Sequence, residues 1–214
     1  SMTTATWYFD YISPFAYLQL HRFAELPADL EITIKPVVFG ALLQHHGQLG
    51  PAEIPSKRRF VYRFFRWQCE QRGLPFNLPS HPFNPLPMLR LTIAAGATPD
   101  VARTIFQGIY GEGRAPADPE TVEVLGERLG VTAPTDAISQ PAVKEALWDN
   151  SNEAIAAGAF GVPTFVVDGE VFWGDDALPM LQDYLANPGL FETPEMKRIS
   201  EMPMGVVRQR GSEG

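Results

Sequence analysis

The sequence predicts an α/β protein in which a long all-helical stretch interrupts a small mixed sheet. Three observations support this fold class. The chain opens as strand, helix and strand, its middle contains one helical pattern after another, and a tight β-hairpin with a further helix follows. The 214 residues suffice for one large domain or two small ones, and 45% of them are hydrophobic, as in ordinary globular proteins.

The opening unit is predicted from two different periodicities. Residues 5 to 10 alternate polar and bulky groups, and residues 30 to 35 alternate strictly, so both are expected to be strands. Between them, residues 14 to 25 carry apolar groups at helical spacing. A strand, a helix and a strand within roughly 30 residues are typical of a parallel crossover.

The middle of the chain is predicted to be helical, with a proline-rich loop at residues 81 to 87. Pro99, Pro119 and Pro141 each stand at an expected first helical position, where proline loses no hydrogen bond. The expected helices are Ala52 to Arg72 and residues near 87 to 96, 98 to 111, 118 to 130 and 140 to 158.

Two short apolar runs joined at Asp168-Gly169 predict a β-hairpin, and residues 175 to 185 predict a closing helix. Phe172 and Trp173 are both expected to pack on the sheet. The outer pieces, 1–45 and 155–195, are therefore expected to form one discontinuous domain. Residues 46–154 would be the helical insertion, and 196–214 a C-terminal arm or tail.

Composition excludes several functional classes. The formal net charge of −8 argues against nucleic acid or an anionic membrane as a partner. No apolar run approaches the roughly 18 to 20 residues that span a bilayer, and no secretion signal is recognised. A single cysteine, Cys69, permits no intramolecular disulfide and fits a reducing compartment, so a cytoplasmic location is expected.

Neither Cys69 nor the adjacent histidines are expected to be functional. Cys69 lies in a helical pattern and is interpreted as a packed structural thiol. His45 and His46 are neighbours in sequence, and adjacent histidines rarely chelate one ion, so no metal site is expected.

Ser13 stands where a strand passes into a helix, with Pro14 behind it. In one interpretation it is simply a helix N-cap, since serine is favoured there and proline is favoured at the first helical position. In the other, its hydroxyl and the unpaired N–H groups of the helix end hold an anion such as a bound thiolate. No nearby histidine suggests a serine nucleophile.

The bond between Val162 and Pro163 is the second candidate feature. A proline entering a strand is a candidate cis peptide, and such a loop leaves neighbouring backbone groups free to pair with an extended peptide. A plain edge-strand proline is the alternative, and the sequence leaves both open.

Several motifs together resemble the 2-hydroxychromene-2-carboxylate isomerase family, which lies with kappa-class glutathione transferases in the DsbA-like branch of the thioredoxin fold. They occur in order over residues 6 to about 186: F-D-Y-I-S-P-F-A-Y from residue 9, K-R-R-F from 57, H-P-F-N-P-L-P from 81, G-V-P-T-F from 161 and F-W-G-D-D-A-L from 172. The resemblance implies a thioredoxin-like fold of the DsbA or kappa glutathione transferase type with an inserted all-helical domain.

The resemblance also implies roles for individual residues. Ser13 replaces the first cysteine of the redox members, so the sulfur would come from glutathione, which Ser13 would hold as thiolate. Val162, beside Pro163, would pair its backbone with glutathione, while Lys57 would meet a carboxylate. Further implied contacts are Gln48, Asp175 and Asp176 with glutathione and Phe83, Asn84 and Pro85 with the substrate.

Two departures from the family pattern stand at implied cofactor contacts. Gln48 replaces the usual asparagine, and Asp175-Asp176-Ala177 replaces a polar residue followed by Asp-Arg. The implied reaction is a glutathione-dependent isomerisation of a small aromatic acid in aromatic hydrocarbon catabolism, and the family suggests a homodimer. Two alternatives remain open: a kappa-like transferase or peroxidase that consumes glutathione, and a non-catalytic thiol- or peptide-binding module.

Overall fold

The computed structural model describes residues 3–203 and 205, and in that part of the chain four strands form one mixed sheet. The strands are β1 (Thr4–Phe9), β2 (Glu31–Pro36), β3 (Thr164–Val167) and β4 (Glu170–Trp173), and their order in the sheet is β2-β1-β3-β4. β1 pairs parallel with β2 and antiparallel with β3, and β4 pairs antiparallel with β3. β1 is thus a central strand.

The helices lie between and after these strands. In chain order they are α1 (Pro14–Leu20), α2 (Phe39–His46), α3 (Pro55–Arg72), α4 (Leu86–Ala94), α5 (Pro99–Phe106), α6 (Pro119–Arg128), α7 (Pro134–Ala137), α8 (Pro141–Ala156), α9 (Leu178–Ala186) and α10 (Pro194–Ser200). The expected α/β fold, with a helical stretch between the two halves of the sheet, is confirmed. No helix in the described part of the chain is both long and apolar enough to cross a bilayer.

Alternation along β1 explains how the sheet is covered on both faces. Trp7 and Phe9 point to one side, where their rings stack with centroids 4.5 Å apart, and Tyr8 points to the other. The cluster around Trp7 and Phe9 also contains Leu91 and Leu147 from the helical stretch. The sheet and the helices therefore share one core, and the division of the chain at residues 45 and 154 remains a prediction.

Several helices are interrupted where the sequence suggests continuity. The helix expected at 14 to 25 ends at Leu20, and a 3₁₀ turn follows at Phe23–Glu25. A 3₁₀ turn at Pro51–Glu53 precedes α3, and α5 widens into a π-helical turn at Gln107–Gly111. Apolar periodicity is similar in all these helical forms, so it does not distinguish them.

The beginning of the expected C-terminal arm is helical. Thr193 caps α10 by accepting a hydrogen bond from the Met196 N–H at 3.3 Å, and an ion pair joins Glu195 to Arg198 one turn apart at 2.6 Å. These local contacts explain why Pro194–Ser200 forms a helix. Most of the remaining arm, residues 204 and 206–214, lies outside the described residues.

Candidate active site

Strand pairing brings the two candidate motifs together. Tyr8, near the end of β1, is opposite Thr164, the first residue of β3. The loop that leaves β1 therefore meets the loop that enters β3. As a result, the hydroxyl of Ser13 lies 3.4 Å from the carbonyl oxygen of Val162, although 149 positions separate them in sequence.

Ser13 occupies the N-cap position of α1 and is itself buried. Its backbone is extended, and its Oγ accepts a hydrogen bond from the Ala16 N–H at 3.4 Å while donating one to the Val162 carbonyl at 3.4 Å. Both distances are longer than the usual 2.7 to 3.2 Å of a strong hydrogen bond. The hydroxyl can therefore turn toward a ligand at small cost, so capping and anion binding are compatible at this residue.

The Val162-Pro163 peptide bond is cis, which was one of the two alternatives from the sequence. The Pro163 carbonyl accepts a hydrogen bond from the Gly174 N–H at 2.8 Å, which ties this loop to the end of β4. The N–H of Val162 has no acceptor within the described part of the chain. An extended ligand could pair with it as an added strand does.

Hydrogen bonds to Asp10 fix the conformation of the loop that carries Ser13. Its carboxylate accepts hydrogen bonds from the Ile12 N–H at 3.1 Å and from the Phe39 N–H, the first residue of α2, at 2.9 Å. The Ser13 N–H also donates to the Asp10 carbonyl at 3.1 Å. Burial disfavours the carboxylate and raises the pKa of Asp10 to about 7, although the backbone donors lower it.

Gln19 joins α1 to the turn after β4. Its amide oxygen accepts from the Trp7 indole N–H at 2.8 Å, and its amide nitrogen donates to the Gly174 carbonyl at 3.1 Å. Gly174 thus has both backbone polar groups bonded within the site. This network holds the β4 turn against the helix that Ser13 caps.

The two acidic residues after Gly174 have different environments. Asp175 is buried, and its carboxylate pairs with Arg22 and with Arg72, each at 3.0 Å. Asp176 is exposed at the cavity and makes no ion pair with any residue described. Of the two predicted cofactor contacts, Asp176 retains a carboxylate available to a ligand, whereas Asp175 holds two arginines.

A cleft of about 1030 Å³ opens beside Ser13. Its walls bring together Ser13, Gln48, Lys57, Val162, Pro163, Asp175 and Asp176, which are all the catalytic and cofactor residues expected from the sequence. Lys57 and Arg58 lie at the start of α3 and form no ion pair within the described part of the protein. The cleft lining therefore includes two cations and one carboxylate that form no ion pair within the described residues.

The expected substrate residues Phe83, Asn84 and Pro85 do not line this cleft. Phe83 stacks on Tyr110 with ring centroids 6.0 Å apart. The Asn84 side chain accepts from the Leu86 N–H at 3.1 Å, and Pro85 is the N-cap residue of α4. This loop therefore forms the N-terminus of α4 and packs on the core. The structure does not place it beside Ser13.

Other side chains line the cleft without having been predicted. Trp173, expected to pack on the sheet, is instead 56% exposed and faces Phe160 with ring centroids 5.2 Å apart. Phe172, its neighbour, is buried, because successive strand residues point to opposite faces. Strict alternation is the sequence signal that could have separated the two. Gln68 also lines the cleft, and its buried Oε1 has no hydrogen-bond partner.

Cys69 lies on the core side of α3 and is fully buried. Burial raises the pKa of its thiol to about 11, so it is protonated at neutral pH and unsuited to thiolate chemistry. Among the residues that the structure describes, no three His, Cys, Asp or Glu side chains are grouped as metal ligands would be.

The four-stranded sheet, the helix that starts at Ser13 and the cis-proline loop facing it together define a thioredoxin-like protein. The chain belongs to the DsbA-like thioredoxin domain family, whose model matches residues 4–186.

Curated proteins with two different names are similar to the chain. A 2-hydroxychromene-2-carboxylate isomerase from Pseudomonas putida is 30% identical over 185 residues, which cover 82% of this chain and 90% of the relative. Glutathione S-transferase kappa 2 from Caenorhabditis elegans is 26% identical, with coverages of 85% and 91%. A solved structure of 2-hydroxychromene-2-carboxylate isomerase superposes with a TM-score of 0.78 at 25% identity, covering 92% of this chain and 97% of that one.

Proposed function

We propose that this protein is a glutathione-dependent isomerase that interconverts 2-hydroxychromene-2-carboxylate and trans-o-hydroxybenzylidenepyruvate, or a related intermediate of aromatic catabolism. The observation that carries the proposal is the position of Ser13. Its hydroxyl lies at a helix start and faces a cis-proline loop, where sulfur from a bound thiol could reach it. Relatives named as isomerases and as kappa glutathione transferases support the same class.

The residues of the cleft fit glutathione in charge and in hydrogen bonding. Glutathione carries two carboxylates and one ammonium group. Lys57 is available to a carboxylate, and Asp176 to the ammonium group. The free Val162 N–H suits the cysteinyl backbone, and Gln48, which also lines the cleft, offers an amide. Asp176 is better suited than Asp175 to bind the ammonium group, since the carboxylate of Asp175 already pairs with two arginines.

Bound glutathione would supply a thiolate that adds reversibly to a conjugated double bond and leaves again after rotation. The role of the protein is to stabilise the ionised sulfur of glutathione and to position it. The Ser13 hydroxyl and the N–H groups at the start of α1 favour negative charge there. The Asp10 bonds fix the loop that carries Ser13, which keeps the donor in place.

A second candidate is a kappa-like transferase that consumes glutathione, and the 26% identity to a kappa transferase favours it. The two enzymes differ in stoichiometry. An isomerase returns every thiol after turnover, whereas a transferase or peroxidase depletes thiol in proportion to product. A binding module without catalysis would bind glutathione and convert no substrate.

The testing experiment is calorimetric titration of reduced glutathione into the wild-type protein, Ser13→Ala and Thr98→Ala. Thr98 caps α5 by accepting a hydrogen bond from the Val101 N–H at 3.2 Å and does not line the cleft, so it controls for the loss of a helix cap. We expect binding to wild type and Thr98→Ala, and weakened binding to Ser13→Ala. Equal affinity for all three proteins would contradict the role of Ser13.

Location and assembly belong to the same proposal. A cofactor thiol that must stay reduced fits the cytoplasm, and the single, buried Cys69 suits such a compartment. We also propose a homodimer, as the resemblance suggests, with a small aromatic acid as the other ligand. Sedimentation of the purified protein measures the oligomeric state directly.

A further inference from the structure

The cleft beside Ser13 extends along one face of α3. Lys57, Phe64 and Gln68 line it, and their spacing of seven and four residues places them on the same side of the helix. Phe64 contacts Phe15, two residues after Ser13, with ring centroids 6.3 Å apart. The proposed thiol site is therefore near the middle of α3, and a bound thiol can extend from it toward either end of the helix.

Lys57 and Arg58 lie far from the two acids that follow β4. Arg72, the last residue of α3, pairs with Asp175 at 3.0 Å, which places Asp175 and Asp176 at the C-terminal end of that helix. From Lys57 to Arg72 the helix rises about 22 Å, more than twice the screening length of roughly 8 Å at physiological ionic strength. The charges of Lys57 and Arg58 therefore have little effect on a ligand group beside Asp176.

Among the described residues that line the cleft, none near Asp176 carries a positive charge. Arg22 and Arg72, which hold the carboxylate of Asp175, are not part of the lining. The 3₁₀ turn that begins here, Asp175–Ala177, has only three residues, so it lacks the dipole of a longer helix. A ligand carboxylate at this end of the cleft would therefore find no cation to pair with.

Gln68 supplies a hydrogen-bond acceptor at the same end of the cleft. Its Oε1 is buried and has no partner among the described residues. Buried polar atoms almost always have a partner, so an unpaired one on a side chain that lines a cleft indicates a group that a ligand supplies. Because the side chain is part of the lining, a small rotation presents this oxygen to a bound molecule. A carbonyl oxygen accepts, so the group that it requires is a donor.

Asp176 and Gln68 together suit an ammonium group. Gln68 precedes Arg72 by one turn of α3, so both acceptors lie at the same end of the cleft. An ammonium group has three N–H donors, enough to bond a carboxylate and an amide oxygen at once. A carboxylate in the same place would instead face the like charge of Asp176.

We propose that Gln68 binds the ammonium group of the thiol together with Asp176, and that the carboxylate next to this ammonium group in glutathione adds no affinity. The protein then selects thiols that end in an ammonium group, and it accepts those that lack the neighbouring carboxylate. The inference rests on the proposed function in taking the bound molecule to be a thiol of the glutathione type.

The experiment compares reduced glutathione with two analogues that keep its cysteinylglycine part and its chain length. 4-Aminobutanoyl-cysteinylglycine has the ammonium group without the neighbouring carboxylate, and glutaryl-cysteinylglycine has that carboxylate without the ammonium group. Each thiol is titrated by calorimetry into wild type, Gln68→Met and Gln68→Lys. Gln71→Met and Gln71→Lys are the matched controls, since Gln71 is exposed on the same helix and does not line the cleft. Thermal unfolding verifies that all four variants fold.

Wild type should bind glutathione and the aminobutanoyl analogue within about threefold of each other. The glutaryl analogue should bind at least about tenfold more weakly, as expected when a hydrogen bond to a charged group is lost. Gln68→Met should weaken both ammonium thiols by about fivefold to tenfold and change the glutaryl analogue by less than about twofold. Gln68→Lys puts a cation in place of the acceptor and should reverse the order of the two analogues. Both Gln71 variants should behave as wild type.

A tenfold loss for the aminobutanoyl analogue in wild type would overturn the inference, as would unchanged affinities in Gln68→Met, and glutathione binding would then leave the proposed function standing. Binding of the aminobutanoyl analogue without binding of glutathione would refute the proposed function and leave the inference standing. Absence of binding by all three thiols would refute both.

Discussion

The carboxylate of Asp10 accepts a hydrogen bond from the backbone N–H of Phe39 at 2.9 Å, and this contact joins the Ser13 loop to the first turn of α2. The same carboxylate holds the Ile12 N–H. One buried acid thus fixes two segments that line the cleft.

The contribution of Asp10 to the stability of the protein should fall as the pH rises from about 4 to about 7. Burial raises the pKa of Asp10 from 3.8 to about 7, so in this window the folded protein keeps a proton that the unfolded chain has lost. A single such proton changes the free energy of unfolding by up to about 1.4 kcal/mol per pH unit. Asp10→Asn keeps one acceptor oxygen but does not titrate. Urea denaturation between pH 4 and 8 should show a flatter profile for Asp10→Asn, and identical slopes for both proteins would contradict this assignment.

Lys57→Met should weaken glutathione binding, and more so at low salt. Lys57 lies at the cleft without a carboxylate partner in the described residues, so its charge is available to the ligand. Screening at high ionic strength reduces this contribution in wild type. Lys144→Met is the matched control, since Lys144 is exposed on α8 and does not line the cleft. Calorimetry at two salt concentrations measures both effects; a salt dependence that survives in Lys57→Met would assign the attraction to another group.

Substitution of Asp175 should mainly lower the stability of the protein, whereas substitution of Asp176 should mainly weaken glutathione binding. Asp175→Asn leaves Arg22 and Arg72 without their shared carboxylate and should lower the free energy of unfolding by about 2 to 4 kcal/mol. Asp176→Asn removes an exposed carboxylate and should change stability by less than about 0.5 kcal/mol while weakening glutathione binding. Denaturation and titration of both variants give the comparison. Equal stability losses would show that the two acids have the same role.

Gln68→Met should stabilise the protein. The buried Oε1 of Gln68 has no hydrogen-bond partner, and an unpaired buried polar atom costs roughly 1 to 3 kcal/mol. Methionine has a similar length and no such atom. Gln71→Met, at an exposed position of the same helix, controls for the general effect of methionine in α3. The measurement is the midpoint of thermal unfolding. A lower midpoint for Gln68→Met than for Gln71→Met would mean that Gln68 is satisfied by ordered water.

The parts of the fold encoded in local patterns were predictable from the sequence. The first strands were predicted from their period of two and the hairpin from two short apolar runs joined at Asp168-Gly169, and the structure contains them. In contrast, α2 was not predicted. Its N-cap residue, Val38, has no capping side chain, and Asp10 supplies an acceptor from 29 residues upstream of Phe39. A contact between distant segments leaves no local signal.

In the candidate site, too, the locally encoded features were predictable and those that depend on distant contacts were not. Ser13 and Pro163 were recognised because serine at a helix start and proline before a strand are local features, and pairing of β1 with β3 then brings them together. Phe83, Asn84 and Pro85 do not line the cleft, and a proline-rich loop gives no local indication of which surface it will cover, so their contact with substrate stays a prediction. The environments of Asp175 and Asp176 also depended on tertiary contacts, namely the positions of Arg22 and Arg72.

The central position of β1 has a consequence for synthesis on the ribosome. One edge of β1 can pair with β2 once residue 36 has emerged, but the other edge waits for β3 at Thr164–Val167. At 5 to 20 residues per second, the roughly 130 intervening residues take about 6 to 26 seconds to translate. During that interval the nascent chain presents an open strand edge beside Trp7 and Phe9, an aggregation hazard that a chaperone could shield.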